Sequence, residues 1–334
     1  MTTPDPAPSL RVLVTGATGY VGSRLVPRLL EEGHTALAAS RDTSGTDDYP
    51  WADDVETRAF DVEDDDLVGR AVEGVDVVVY LVHSMGSEDF VRKDREAAER
   101  VAAAAARAGV RQVVYLSGLV PSTDPDELSD HLRSRLEVEQ VFLDGDVPAV
   151  VLRASMVIGA GSTSYELLRR LSERVPLLTP VPSWMRSTIQ PVAVEDVVEV
   201  VAGALRSAAA GQTRNRHYDV GGEERLTYPE LLATYAEVAG LRRARFLVPW
   251  VPQKVVGWAC SAISGLPATE VTSLVDSLRL DMVCEEDDVR RDLLPPDHEL
   301  VPVAEALRRS RRGGSAPGTA TRGDVQAGAP TDPA

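Results

Sequence analysis

Val12-Leu13-Val14-Thr15-Gly16-Ala17-Thr18-Gly19-Tyr20-Val21-Gly22 decides how this chain folds. Its apolar start reads as a strand and its glycines as a turn. The residues beyond the turn read as an amphipathic helix, with Val21, Leu25, Val26, Leu29 and Leu30 on one face and Gly33 at its stop. Strand, glycine turn and helix in that order build a site for a pyrophosphate. The turn brings backbone N–H groups close to an anion where a Cβ would obstruct them, and the helix adds unpaired N–H groups and its positive dipole end. The spacing is GxxGxxG rather than the commoner GxGxxG. Three glycines alone could mark an ordinary tight turn; here the required strand and helix flank them.

The wording TGATGYVG (residues 15–22) resembles the short-chain dehydrogenase/reductase superfamily. It is closest to the extended and atypical branches, where this turn holds the nucleotide. The resemblance implies an α/β fold with a doubly wound parallel Rossmann sheet and a small C-terminal α+β substrate lobe. It makes Gly16, Thr18, Gly19, Tyr20, Val21 and Gly22 candidate cofactor contacts. Residues 35–40 read as a second strand, ending at Ser40 and Arg41. There a dinucleotide-binding fold selects its cofactor: a carboxylate takes the ribose hydroxyls of NAD, a cation the 2′-phosphate of NADP. Arg41 points to NADP(H) ahead of NAD(H), and Asp42 beside it keeps NAD(H) open. Residues 42–54 read as a polar loop and 55–60 as a third strand. Asp61-Val62 then matches the pair that, in extended members, holds the adenine ring.

The run 77–82 is continuously apolar, as suits a central strand covered on both faces. Leu81, Val82 and His83 stand at its carboxyl end, where ligands bind in such sheets; His83 could equally cap loop backbone. Residues 90–108 form an Ala-rich helix candidate. The next strand, 113–116, ends at Ser117-Gly118.

Most of the superfamily carries a Tyr and, four residues on, a Lys on the helix after this strand. One helix face presents both, and the ammonium lowers the phenol's pKa. In Ser129-Asp130-His131-Leu132-Arg133-Ser134-Arg135, His131 falls on the Tyr position and Arg135 on the Lys position. Ser117 matches the start of the family's serine-rich turn. Three readings stand. His131 is a proton donor near neutral pH, with Arg135 fixing the nicotinamide ribose; or the nucleotide binds without reduction, as in a redox sensor or accessory subunit; or the two are an ordinary surface pair. YLVHSMG, YLSGLVP, HLRSR and LRASMVIGAGS sharpen the resemblance to the atypical branch, over roughly residues 10–310. That branch holds nitrogen-regulator-type nucleotide sensors, respiratory complex I accessory subunits and many presumed reductases. An oxidoreductase acting on an apolar carbonyl or quinone-like compound is one expectation; a non-catalytic regulator or assembly factor is the other.

A chain of 334 residues with net charge −17 argues against nucleic-acid binding through a broad basic face. The isolated Cys260 and Cys284 suit a reduced compartment, and no histidine pair has metal-ligand spacing. No apolar run is long enough to span a bilayer and the start lacks a signal sequence, so a cytoplasmic protein, monomer or homodimer, is expected.

The organisation expected is a tail over 1–9, the dinucleotide-binding core over 10–160, and a substrate lobe over 161–312 interleaved with late core elements. A disordered Gly/Ala/Pro/Thr tail would extend over 313–334. Ser162 and Thr227 read as helix starts, the latter with Glu230 at capping-box spacing. The stretch 248–266 is apolar with Lys254 its one charge. It reads as a buried helix, and pocket lining or weak peripheral membrane contact are its alternatives. Residues 281–284 read as a late strand and 303–309 as a last helix.

Overall fold

The computed structural model describes residues 8–83, 89–124, 128–175, 178–242, 244–248, 251–313, 324–326 and 328–332. Residues 1–7, Ser84-Met85-Gly86 and 314–323 lie outside them. Six strands in chain order, β1 (Arg11–Thr15), β2 (Thr35–Ser40), β3 (Glu56–Ala59), β4 (Val77–Tyr80), β5 (Gln112–Gly118) and β6 (Ala149–Ala154), join Arg216–Val220 in one sheet. From one edge the order is Arg216–Val220, β6, β5, β4, β1, β2, β3. Every neighbouring pair is parallel. This is the doubly wound Rossmann sheet. The order reverses between β1 and β4, which opens a crevice above their carboxyl ends.

The α-helices among the described residues are α1 (Gly22–Glu31), α2 (Asp65–Ala71), α3 (Phe90–Ala108), α4 (Asp130–Leu143), α5 (Thr163–Arg174), α6 (Val194–Ala209), α7 (Tyr228–Val238), α8 (Gln253–Ser264), α9 (Ala268–Ser277), α10 (Asp288–Asp292) and α11 (Val303–Gly313), the expected last helix. The continuous apolar strands follow from cover on both faces. Val12, Val14, Val77 and Val79 pack into the layer with α1 and α6, while Leu13, Val78 and Tyr80 pack into the layer with α3 and α4. Successive side chains point to opposite faces, so both must be apolar. Beyond the sheet, α5 and α7 share a second cluster around Tyr165, Leu168, Leu231 and Tyr235. Ser162 caps α5, and Thr227 with Glu230 forms the expected capping box on α7.

Four expectations are corrected. The 42–54 segment is not simply polar: Tyr49 and Trp51 are buried and stack at 4.8 Å. Pro27 inside α1 cannot donate to the Ser23 carbonyl, and the Trp51 indole N–H does so instead, at 3.2 Å. Residues 281–284 contribute one isolated bridge, Ile189 to Met282, rather than a strand. The helix α8 is not buried: Gly257 and Ser264 are its buried residues, Val256 and Cys260 pack partly against α9, and Val255, Trp258 and Ile263 are exposed. Finally, 324–332 is not free tail. Asp332 pairs with Arg24 at 2.6 Å with both side chains buried, and Arg24 also donates to the Val325 carbonyl. A buried guanidinium on α1 needs acceptors, and this segment supplies them.

Candidate functional site

The glycine turn closes on itself. Gly16 has φ +72°, and the Gly19 N–H donates to the Gly16 carbonyl at 2.9 Å. A Cβ on Gly22 would stand 2.2 Å from that oxygen, and one on Gly19 would stand 3.1 Å from it. A side chain at Gly22 therefore does not fit the bend that sets α1 on the crevice, while one at Gly19 would be crowded. Val21 caps α1 with no side-chain hydrogen bond and no acid in the first turn; the Ser23 and Arg24 N–H groups donate to the Gly19 and Val21 carbonyls, and the positive dipole end of the helix is set at the cleft beside the glycine turn. Thr15 Oγ accepts from the Leu81 N–H at 3.1 Å and ties the turn to the end of β4. The cradle fits a pyrophosphate.

Gly16, Thr18, Gly19, Tyr20, Val21 and Gly22 line one side of a cleft of about 1470 Å³. Arg41, Asp61 and Val62 line it beyond the ends of β2 and β3, and Leu81, Val82 and His83 beyond the end of β4. Asp42 turns its carboxylate onto its own loop, accepting from the Ser44 hydroxyl at 2.6 Å and the Ser44 N–H at 3.0 Å. Those bonds hold its pKa below the ordinary range. Arg41 makes no ion pair among the described residues. The Asp42 carboxylate is thus satisfied within its own loop and stays ionised beside Arg41.

Ser117, His131 and Arg135 meet the cleft at its middle. Ser129 caps α4 by accepting from the Leu132 N–H, which puts His131 in the first turn and Arg135 one turn on. Ser134 donates to buried Asp94 at 2.8 Å and fixes α4 against α3. Arg135 is 9% exposed, and its guanidinium reaches the Tyr115 hydroxyl at 3.4 Å. An ordinary surface pair is thereby removed from the three readings. Ser117 Oγ is buried with no hydrogen-bond partner among the described residues. Desolvation, reinforced by the Arg135 charge, pushes the His131 imidazole down to about 4. His83, although solvent-exposed as a residue, is shifted down as well, by desolvation of its ring and then by Arg135 and His131. Both shifts favour the neutral imidazole.

The far end of the cleft is apolar, walled by Leu167, Leu168 and Leu171 of α5, Leu231 and Leu232 of α7, and Leu274 and Leu278 at α9. Its volume exceeds the ~300–1,000 Å³ of a single-ligand pocket, leaving room for a second molecule beside a dinucleotide. Sequence reasoning missed Arg24 and Tyr115. Arg24 lies over the Tyr20 ring at 4.1 Å and donates to the Tyr20 and Ala160 carbonyls, bolting the glycine turn to the strand end beyond β6. No spacing in the sequence pairs residues so far apart.

A family model described as NAD(P)H-binding matches residues 16–175. The chain is 31% identical over 241 residues to the (4-alkanoyl-5-oxo-2,5-dihydrofuran-3-yl)methyl phosphate reductase of Streptomyces griseus, spanning 70% of this chain and 76% of that protein. It is 28% identical over 244 residues to a ceramide reductase of Caulobacter vibrioides, spanning 71% and 73%. The fold matches the triphenylmethane reductase of Citrobacter sp. complexed with NADP(H), with TM-score 0.70 at 20% identity over 89% of this chain and 99% of the other. The chain belongs to the atypical, nitrogen-regulator-like branch of the short-chain dehydrogenase/reductase superfamily, an NAD(P)H-binding oxidoreductase family.

Proposed function

We propose that this protein is an NADPH-dependent reductase of an apolar carbonyl or quinone-like compound. The observation that carries the reading is one continuous cleft, running from the glycine turn past His131 and Arg135 to the leucine-lined end. The relative named for reducing a ceramide supports an apolar substrate, whereas the one named for an alkanoyl-bearing dihydrofuran acts on a substrate that also carries a phosphate. Arg41 with Asp42 turned away supports NADPH over NADH.

The glycine turn and the α1 N-terminus would hold the pyrophosphate, Arg41 the 2′-phosphate, and Asp61 with Val62 the adenine. When bound, the nicotinamide supplies a hydride equivalent to the substrate's electrophilic carbon. The side chains do the rest. Arg135 is a fixed positive charge facing the oxygen on which negative charge develops. His131, neutral with its pKa near 4, acts as a hydrogen-bond donor to that oxygen rather than as an imidazolium. One ring N–H passes its proton to the oxygen while the other nitrogen takes one from cleft water, which is reprotonated from bulk solvent; the ring ends neutral in its other tautomer and solvent supplies the net proton. Ser117 Oγ is a second donor to the same region.

The test is a titration of the purified protein with NADPH, NADP⁺, NADH and NAD⁺ by ligand fluorescence. NADPH consumption is then measured over a panel of apolar aldehydes, ketones and quinones. Tight NADPH binding with turnover is expected. Binding without turnover of any compound would favour the redox sensor, and binding of none of the four would sink both.

A further inference from the structure

The large apolar side chains exposed among the described residues are Phe246 at 47%, Val255 at 53%, Trp258 at 70% and Ile263 at 37%. All four fall within eighteen consecutive positions, while the other large apolar side chains among the described residues are at least partly buried. Three of them lie on α8. Val255, Trp258, Ala262 and Ile263 recur at helical spacing and share its outward side, while Val256 and Cys260 pack inward with α9.

Charge is distributed as unusually as hydrophobicity. Residues 238–269 contain Arg242, Arg243, Arg245 and Lys254 and no Asp or Glu, a local charge of +4 in a chain of −17. Arg174 adds a cation at the C-terminal end of α8, where its guanidinium donates to the Ile263 and Ser264 carbonyls. Asp276 of α9 lies near enough to Lys254 for their charges to interact, and its carboxylate offsets part of the Lys254 charge.

We propose that the outward face of α8 docks this protein on an anionic lipid bilayer. An exposed Trp among aliphatic side chains, with Arg and Lys at the margin, matches the layered chemistry of a bilayer interface: acyl chains, then glycerol, then phosphate. A soluble acidic partner would match the cations but leave the apolar stripe wet. The acidic remainder of the surface does not cancel the attraction, because at physiological ionic strength charges beyond about 8 Å are screened. It instead repels the bilayer at other orientations and selects this one. At twelve residues α8 lies in the interface and does not cross it. The helices α5 and α9 that carry α8 also wall the apolar end of the cleft, so docking sets that end beside the membrane. This last step rests on the reductase reading; the docking itself does not.

The experiment is flotation of the full chain with two vesicle preparations. One is phosphatidylcholine containing roughly a quarter phosphatidylglycerol; the other is phosphatidylcholine alone. Association with the anionic vesicles is expected, weakened at least tenfold by W258E, by K254E, and by raised salt. NADPH affinity of both variants should be unchanged, which shows that they fold and keeps the result independent of substrate. No flotation, or equal flotation on both preparations, overturns the proposal. So does a concentration-dependent dimer that W258E abolishes, since the face would then serve a second copy of the chain.

Discussion

His131 is where the structure changes the chemistry most, and its protonation state can be measured directly. An unperturbed imidazole near 6.5 would leave a substantial imidazolium fraction at neutral pH. With the pKa near 4, about one molecule in a thousand carries the proton at pH 7. A donor that scarce does not serve as the resting acid, so the neutral N–H must act. The assay is the titration of the His131 ring resonances by NMR, assigned by their loss in H131N. The expected midpoint is near 4, and it should rise in R135A because the Arg135 charge is one of its causes. In kinetics, kcat/KM should show no loss of rate as pH rises through 6.5. H131A should lose about 10²–10³-fold in kcat, and H131N, which keeps an N–H donor, should recover part of that. Linkage gives a further sign. Between pH 6.5 and about 4 the unfolded chain binds a proton that the folded ring does not, so stability falls with acid across that window and less so in H131N. A midpoint above about 6, together with a kcat/KM that falls above it and no longer does so in H131N, would refute the neutral-donor argument.

Arg41→Ala should weaken NADPH by about 1.5–3 kcal/mol, roughly ten- to a hundredfold, and leave NADH unchanged; equal losses for both would deny Arg41 the 2′-phosphate. Gly22→Ala should cost about 1–3 kcal/mol in denaturant unfolding and weaken every nucleotide, because its Cβ meets the Gly16 carbonyl at 2.2 Å. Gly19→Ala, with 3.1 Å of room, should cost less. Removing residues 314–334 should lower stability by about 1–3 kcal/mol. It takes Asp332 and the Val325 carbonyl from Arg24, which keeps the Tyr20 and Ala160 carbonyls and gains water. Unchanged melting would mean that the segment does not hold Arg24.

The sequence alone determined the sheet and the nucleotide turn, because these are encoded locally. Glycine spacing, continuous apolar runs and helix stops act within a dozen residues, so TGATGYVG, the valine run of β4 and the His131–Arg135 spacing could each be read in place. The same pattern placed Ser117, Leu81, Val82 and His83 at strand ends, where a parallel sheet opens its crevice. What it could not settle was environment. Only tertiary packing buried Arg135 against Tyr115 and desolvated His131 enough to change which protonation state can work. Only tertiary packing brought Asp332 across some three hundred residues to Arg24, and put Trp51 under the carbonyl that Pro27 leaves unused. For α8 the local signal misled: an apolar helix with two nearby prolines reads as core, and whether such a face is covered depends on elements distant in the chain. Periodicity marks which residues share a face, but desolvation and charge are set by neighbours that the fold alone assembles.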